Sequence, residues 1–192
     1  RLANSIKLLL QDNKFPIVIG GDCSILIGNA LALRRLGRYG LFFIDGHADF
    51  YLPQESPTGE VADMDLAIVT GNGPNILTDI DHIKPLVNEQ DIVVFGYRDA
   101  EQSAKYGCQD IKKTTMMKAI ELDDVRRLGF QNAANLGIAT LLKNELAGFW
   151  IHLDADVLDD FIMPAVDYRL PDGISFSDLS NLLKLLLLSK KA

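Results

Sequence analysis

The chain has 192 residues, 48% of them hydrophobic, and carries a formal charge of −7. That length suits one domain with a core of ordinary size, so residues 1–192 are expected to fold as one unit. The acidic balance speaks against nucleic acid, which selects Lys/Arg surfaces, and no apolar stretch reaches the ~18 residues of a membrane span. Two cysteines, Cys23 and Cys108, make no disulfide framework and point to a reducing cytoplasm. No signal peptide is visible. The chain opens at Arg1 inside a helical pattern and stops at Ala192 just after another, so the domain is expected to lack part of both ends.

In chain order, Phe15–Ile19 reads as a strand closed by Gly20-Gly21. A helix follows over Ser24–Leu36, with Ile25, Leu26, Ala30, Leu33 and Leu36 at helical spacing and Gly37 as its stop. Leu41–Ile44 and Ile92–Phe95 are all-apolar strands, and the stretch between them from His47 to Pro74 lacks strong periodicity, as functional loops often do. A helix over Gln131–Lys143 precedes a strand at Trp150–Leu153. A last helix spans Ser177–Leu188, where Ser175 and Asp178 resemble a capping box. Strands apolar on both faces and separated by helices indicate an α/β fold with a parallel sheet covered on both sides.

Chemistry-bearing residues gather where apolar runs end. Asp45-Gly46-His47-Ala48-Asp49 follows one strand, Asp154-Ala155-Asp156 another, and Gly20-Gly21-Asp22-Cys23-Ser24 the first. In open parallel sheets ligands bind beyond the carboxyl ends of the strands. Alternate residues of an extended chain project to one side, so Asp45, His47 and Asp49 form one set and Asp154 and Asp156 another. Several carboxylates at close range repel and are costly to desolvate, a penalty that a pair of divalent cations removes. Oxygen-rich ligation with one imidazole suits Mn²⁺, Mg²⁺ or Fe²⁺, and two such ions bridging a water would make hydroxide at neutral pH. His152 shares a strand face with the acidic pair. It is either an outer-shell donor to a carboxylate or a buried strand histidine satisfied by backbone. His82, in a polar turn, is expected to be exposed, and Cys108 to be inert.

The ordered motifs G-G-D-C-S, D-G-H-A-D and D-A-D resemble the ureohydrolase family of arginases, agmatinases and formimidoylglutamases. Ser56-Pro57-Thr58-Gly59-Glu60, Gly96-Tyr97-Arg98-Asp99 and the spacing from Pro164 to Gly173 extend the resemblance along the chain. It implies a three-layer α/β/α fold with a mostly parallel central sheet. It also implies two Mn²⁺ per chain, hydrolysis of a linear guanidine or amidine C–N bond by a bridging hydroxide, and a homo-oligomer of three or six chains. Cys23, Asp45, Asp49 and Asp154 would hold one metal and Asp45, His47, Asp154 and Asp156 the other, with Asp45 and Asp154 bridging. Asp156 would steady the hydroxide and pass its proton to the leaving amine, while Thr58 and Glu101 would contact a small cationic substrate.

Departures from the family pattern sharpen these expectations. Cys23 stands where the family has a ligand histidine, and a softer thiolate admits Zn²⁺, Fe²⁺ or Co²⁺. Ala62 stands at the proton-shuttle histidine, leaving Glu60, Asp63 or Asp65 as substitutes. Ala104 occupies one of two carboxylate positions that hold an α-amino end, the other being Glu101, so arginine itself is disfavoured. Val166-Asp167-Tyr168-Arg169-Leu170 replaces the usual G-T-G-T-P, and Asp160 replaces a proline. Two other readings stay open: a catalytically silent member that binds metal or a small ligand, and a mononuclear, deacetylase-like site.

Overall fold

A computed structural model describes residues 1–192. The chain forms α1 (Leu2–Gln11), α2 (Ile25–Arg34), β1 (Gly40–Ile44), α3 (Asp65–Val69), α4 (Asn75–Thr78) and β2 (Ile92–Phe95). It continues through α5 (Ala100–Lys105), α6 (Ile111–Thr114), β3 (Lys118–Ile120), α7 (Leu122–Leu128), α8 (Phe130–Lys143), β4 (Phe149–Leu153) and α9 (Phe176–Leu188). The sheet order is β3-β2-β1-β4 and every pair is parallel. No helix is long and apolar enough to cross a membrane.

Pleating divides the central strands between two cores. Leu41 and Phe43 of β1, with Ile92 and Val94 of β2, face a cluster built with α1, α2 and α3. Their neighbours Phe42, Ile44, Val93 and Phe95 face the cluster built with α7, α8 and α9. All eight are at most 1% exposed, which is why the strands read as unbroken apolar runs. The result is the expected three-layer α/β/α arrangement. Helix α8 lies close to the sheet because Gly137 has no side chain there: a Cβ would sit 2.9 Å from the Phe42 ring. Ser175 caps α9 as expected, its Oγ accepting from the Asp178 amide at 3.0 Å.

Three expectations change. Phe15–Ile19 is not a strand: it joins no sheet, and Phe15, Ile17 and Ile19 are 61%, 81% and 93% exposed. An apolar run becomes a strand only when another backbone pairs with it, and a groove of ≈ 1430 Å³ separates this segment from the outer edge of β4. Second, Asp154 and Asp156 are not on an extended strand, because Ala155–Val157 is a turn of 3₁₀ helix capped by the Asp154 carboxylate. Asp49 likewise has left-handed backbone (φ 45°), so the D-G-H-A-D segment bends instead of alternating. Third, the aperiodic stretch from His47 to Pro74 contains α3, whose five residues are all buried. The elements that the sequence left unread are α4, α5, α6, β3 and α7.

Truncating the sheet's central ring tests this layering. Phe42→Ala is expected to cost ~3–5 kcal/mol, measured by urea denaturation. A loss under about 1 kcal/mol would mean that α8 does not pack on β1 as described.

Candidate metal centre

Parallel pairing sets Phe43 against His152 and Ile44 against Leu153. The two chains therefore leave the sheet together, and the next residues, Asp45 and Asp154, emerge side by side; the Asp154 amide donates to the Ile44 carbonyl at 2.9 Å. The turn after β1 is tight because position 46 is glycine. A Cβ there would meet Arg98 Nη1 at 2.6 Å and Asp156 Oδ1 at 2.8 Å. The Gly46 amide instead donates to Asp156 Oδ1 at 2.9 Å, tying the two acidic turns together.

Two groups of donor atoms meet there. Asp45, His47 and Asp156 offer atoms that all lie within 4.8 Å of one another, and so do Cys23, Asp45 and His152. His47 Nδ1 is 2.7 Å from Asp156 Oδ2. Cys23 Sγ donates to Asp154 Oδ2 at 2.9 Å, and Asp154 Oδ1 accepts from the Asp156 amide at 2.7 Å. Asp49 is buried but belongs to neither group. Thr58 is exposed, its hydroxyl donating to Asp63 Oδ2 at 2.7 Å. Glu101 is exposed on α5 and does not line the groove, whereas Gln102 next to it does.

The electrostatics are those of crowded, buried acids. Burial, then Asp49, Asp156 and Asp154, raise Asp45 far above the usual carboxylate range. Burial and neighbouring acids likewise raise Asp49, Asp65 and Asp154. Burial, reinforced by Asp45, Asp65, Asp49 and Asp154, keeps the Cys23 thiol protonated well past its ordinary range. Asp156 is the exception. Burial alone would raise it, but the hydrogen bond and charge of His47 outweigh burial and hold it below the usual value. For His47, burial pulls down while the bond to Asp156 raises the ring's pKa more.

These atoms suit divalent cations. Asp45 Oδ2 and His152 Nε2 are buried without any hydrogen-bond partner, a costly state that a cation relieves. Four clustered carboxylates, an imidazole or two and a thiol match the donors of Mn²⁺, Fe²⁺, Co²⁺ or Zn²⁺. The reading of His152 as satisfied by backbone fails at Nε2. His82 is exposed as expected, and Cys108 is buried with its Sγ donating to the Phe50 carbonyl at 3.3 Å.

Some contributors were not read from the sequence as site residues. Arg98 donates from Nη2 to the carbonyls of Asp156 (2.9 Å) and Leu170 (2.8 Å), and from Nε to that of Pro171 (2.8 Å), strapping a later loop beneath the acidic turn. Asp99 accepts from the Ala48 amide at 3.1 Å and so shapes the loop that carries His47. The signal was the Arg-Asp pair directly after β2, visible only as a motif. Among the candidate proton carriers, Asp63 is engaged by Ser56 and Thr58, and Glu60 accepts from the Tyr168 hydroxyl at 3.0 Å. Asp65 is wholly buried with both oxygens unpartnered.

Comparison with known proteins agrees with this geometry. The family model described as "Arginase family" matches residues 1–191. An arginase of Staphylococcus aureus (strain COL) is 29% identical over 187 residues, covering 97% of this chain and 60% of the relative. The crystal structure of an arginase from Bacillus subtilis superposes with a TM-score of 0.89 at 28% identity, over 99% of this chain and 65% of that one. An Entamoeba histolytica arginase in complex with L-ornithine superposes with a TM-score of 0.80 at 26% identity, over 95% of this chain and 60% of that one. The chain thus spans about 60% of the length of the curated relatives it matches. On the match along nearly its whole length, with the fold that accompanies it, this chain belongs to the arginase family.

Proposed function

We propose that this protein is a binuclear-metal hydrolase that cleaves a non-peptide C–N bond of a linear guanidine or amidine. The carrying observation is that three separate chain segments bring their donors together in two groups that share Asp45, one of Cys23, Asp45 and His152 and the other of Asp45, His47 and Asp156, with Asp154 bonded to the Cys23 thiol. Cys23, Asp45, Asp49 and Asp154 would hold one cation, and Asp45, His47, Asp154 and Asp156 the other, with Mn²⁺ the family expectation. Bound there, divalent cations supply Lewis acidity and bring the pKa of water toward neutrality.

The chain's own groups do the rest. Asp156, held ionised by His47, is the carboxylate suited to take a proton and hand it to a departing amine. The crowded acids favour a cationic substrate over a neutral one. Thr58, which lines the groove, and Glu101, which lies just outside it beside Gln102, are the proposed substrate contacts. Ala104 offers no carboxylate beside Glu101, which favours a guanidine or amidine without an α-amino acid head. The ornithine bound to the Entamoeba relative keeps arginine in the test panel. A cytoplasmic homo-oligomer of three or six chains goes with this reading.

One observation favours a second reading, that of a silent member binding metal or a small ligand. Ala62 lines the groove and carries no proton, and removing general acid–base help costs ~10²–10⁴-fold in rate.

Two experiments decide. Asp154→Asn is expected to abolish metal binding and any urea or ammonia release over a panel of guanidino and amidino compounds; full metal occupancy in that variant would sink the proposed ligand set. Wild-type protein that binds two metals yet turns over nothing on the panel would favour the silent reading. The second test is pH. Asp45, Asp49, Asp65 and Asp154 have folded pKa values above their unfolded ones, so the folded state binds more protons and metal-free stability is lost as pH rises through the raised values. His152, shifted down to about 4, contributes oppositely within this window, and Asp156, shifted down from the carboxylate range, does so only at lower pH, against four raised carboxylates. The urea midpoint of metal-free protein is therefore expected to be higher at about pH 5 than at about pH 7, and saturating Mn²⁺ to reverse that order, because metal competes with protons. A metal-free midpoint that rises with pH would contradict the crowded-acid description.

A further inference from the structure

We propose that His152 is itself a metal ligand, completing with Cys23, Asp45 and Asp154 a sulfur–nitrogen–oxygen pocket that selects Zn²⁺ or Co²⁺ over Mn²⁺. This rests on the reading above that the site binds divalent metal, and assigns a residue and a metal preference to one half of it.

The geometry carries the assignment. His152 Nε2 and Asp45 Oδ2 are both buried and unpartnered, and they face each other at 3.9 Å, beyond hydrogen-bond reach. Cys23 Sγ lies within 4.8 Å of both, and Asp154 Oδ2 is 2.9 Å from that sulfur. Three donors from three segments therefore converge on one small volume, with Asp154 beside the sulfur. A tetrahedral zinc with bonds of ~2.0–2.3 Å sets its ligand atoms ~3.3–3.7 Å apart, so the His152–Asp45 pair at 3.9 Å closes by a few tenths of an ångström while the Cys23–Asp154 pair at 2.9 Å opens. The imidazole is already aimed: its ring stacks on Phe43 with centroids 4.5 Å apart and planes at 8°, and the strand pairing holds Phe43 and His152 opposite each other. On binding, Cys23 gives up its thiol proton to solvent and its bond to Asp154, the usual exchange of a proton for a metal at a cysteine.

The carboxylate of Asp45 divides the centre. Its Oδ2 faces His152, while its Oδ1 accepts from the His47 amide at 2.7 Å and lies 3.8 Å from His47 Nδ1. The His47 side has nitrogen and oxygen donors only and suits Mn²⁺. The Cys23 side has a thiolate and an imidazole and suits softer ions. The two halves would therefore discriminate between metals.

X-ray absorption on metal-stripped protein given one equivalent of Zn²⁺ tests this. One sulfur together with imidazole in the zinc shell is the expected wild-type result. His152→Gln should keep the sulfur, lose the imidazole signal and weaken zinc binding at least ~100-fold, beyond the ~10–100-fold that loss of an outer-shell partner costs. Zinc with sulfur but no imidazole in the wild type overturns the proposal and needs no variant, so a misfolded His152→Gln leaves it testable. Imidazole retained in His152→Gln also overturns it while leaving the metal-centre reading intact. Wild-type protein that binds neither Zn²⁺ nor Mn²⁺ overturns both.

Discussion

The register between β1 and β4 sets Gly40 against Phe149 and Ile44 against Leu153, and Asp45 and Asp154 leave the sheet side by side because of it. A slip of one residue would send every side chain of β4 to the opposite face. His152 would lose its stack on Phe43, and Asp154 would no longer adjoin Asp45. The register is fixed from both faces: Phe42 and Ile44 are locked into one core, Leu41 and Phe43 into the other. Packing far from the acidic turns thus decides which atoms meet within them.

The same placement creates the electrostatic problem that defines the site. Asp45, Asp49 and Asp156 are each at most 9% exposed, and all but Asp156 are pushed toward the neutral form. One contact separates Asp156 from the rest, the 2.7 Å pairing with His47. Two carboxylates in the same turn therefore differ in character: Asp154 shares its oxygens with a thiol and an amide, while Asp156 is an anion stabilised by an imidazole. Arg98 spends its hydrogen bonds on carbonyls, not on these acids. It shapes the loop while its charge, weakened by burial, acts only at a distance.

How much of this was legible in the sequence follows from the range of the interactions. The strands β1, β2 and β4 were readable because their residues are buried on both faces, and α9 because Ser175 signals its start locally. The segment Phe15–Ile19 has the same local signature as β1 and no partner, a fact no local pattern contains. The acidic motifs were visible at the ends of the strands, but their geometry was misread as extended. The turns at Asp49 and Ala155–Val157 arise from contacts between segments, such as the Gly46 amide on Asp156 across 110 positions. His152 was seen beside the acids, whereas its orphaned nitrogen became evident only once Phe43 and Asp45 were in place around it. Asp65 looked like one acid among several until both its oxygens proved unpartnered.

The outer edge of β4 has a bearing on how this sheet can be extended. The strand Phe149–Leu153 carries no charged residue, has no neighbouring strand on that side and opens onto a groove flanked by exposed Ile17 and Ile19. Natural sheets blunt such borders with lysine, proline or a covering element, because unpaired amides and carbonyls template the addition of another extended chain. Here the Phe149 amide is already taken by the Lys191 carbonyl at 2.7 Å, so the segment after α9 covers one end of the border. The rest of the edge can accept an extended segment, and the origin of that segment decides whether the sheet grows within one molecule or between two.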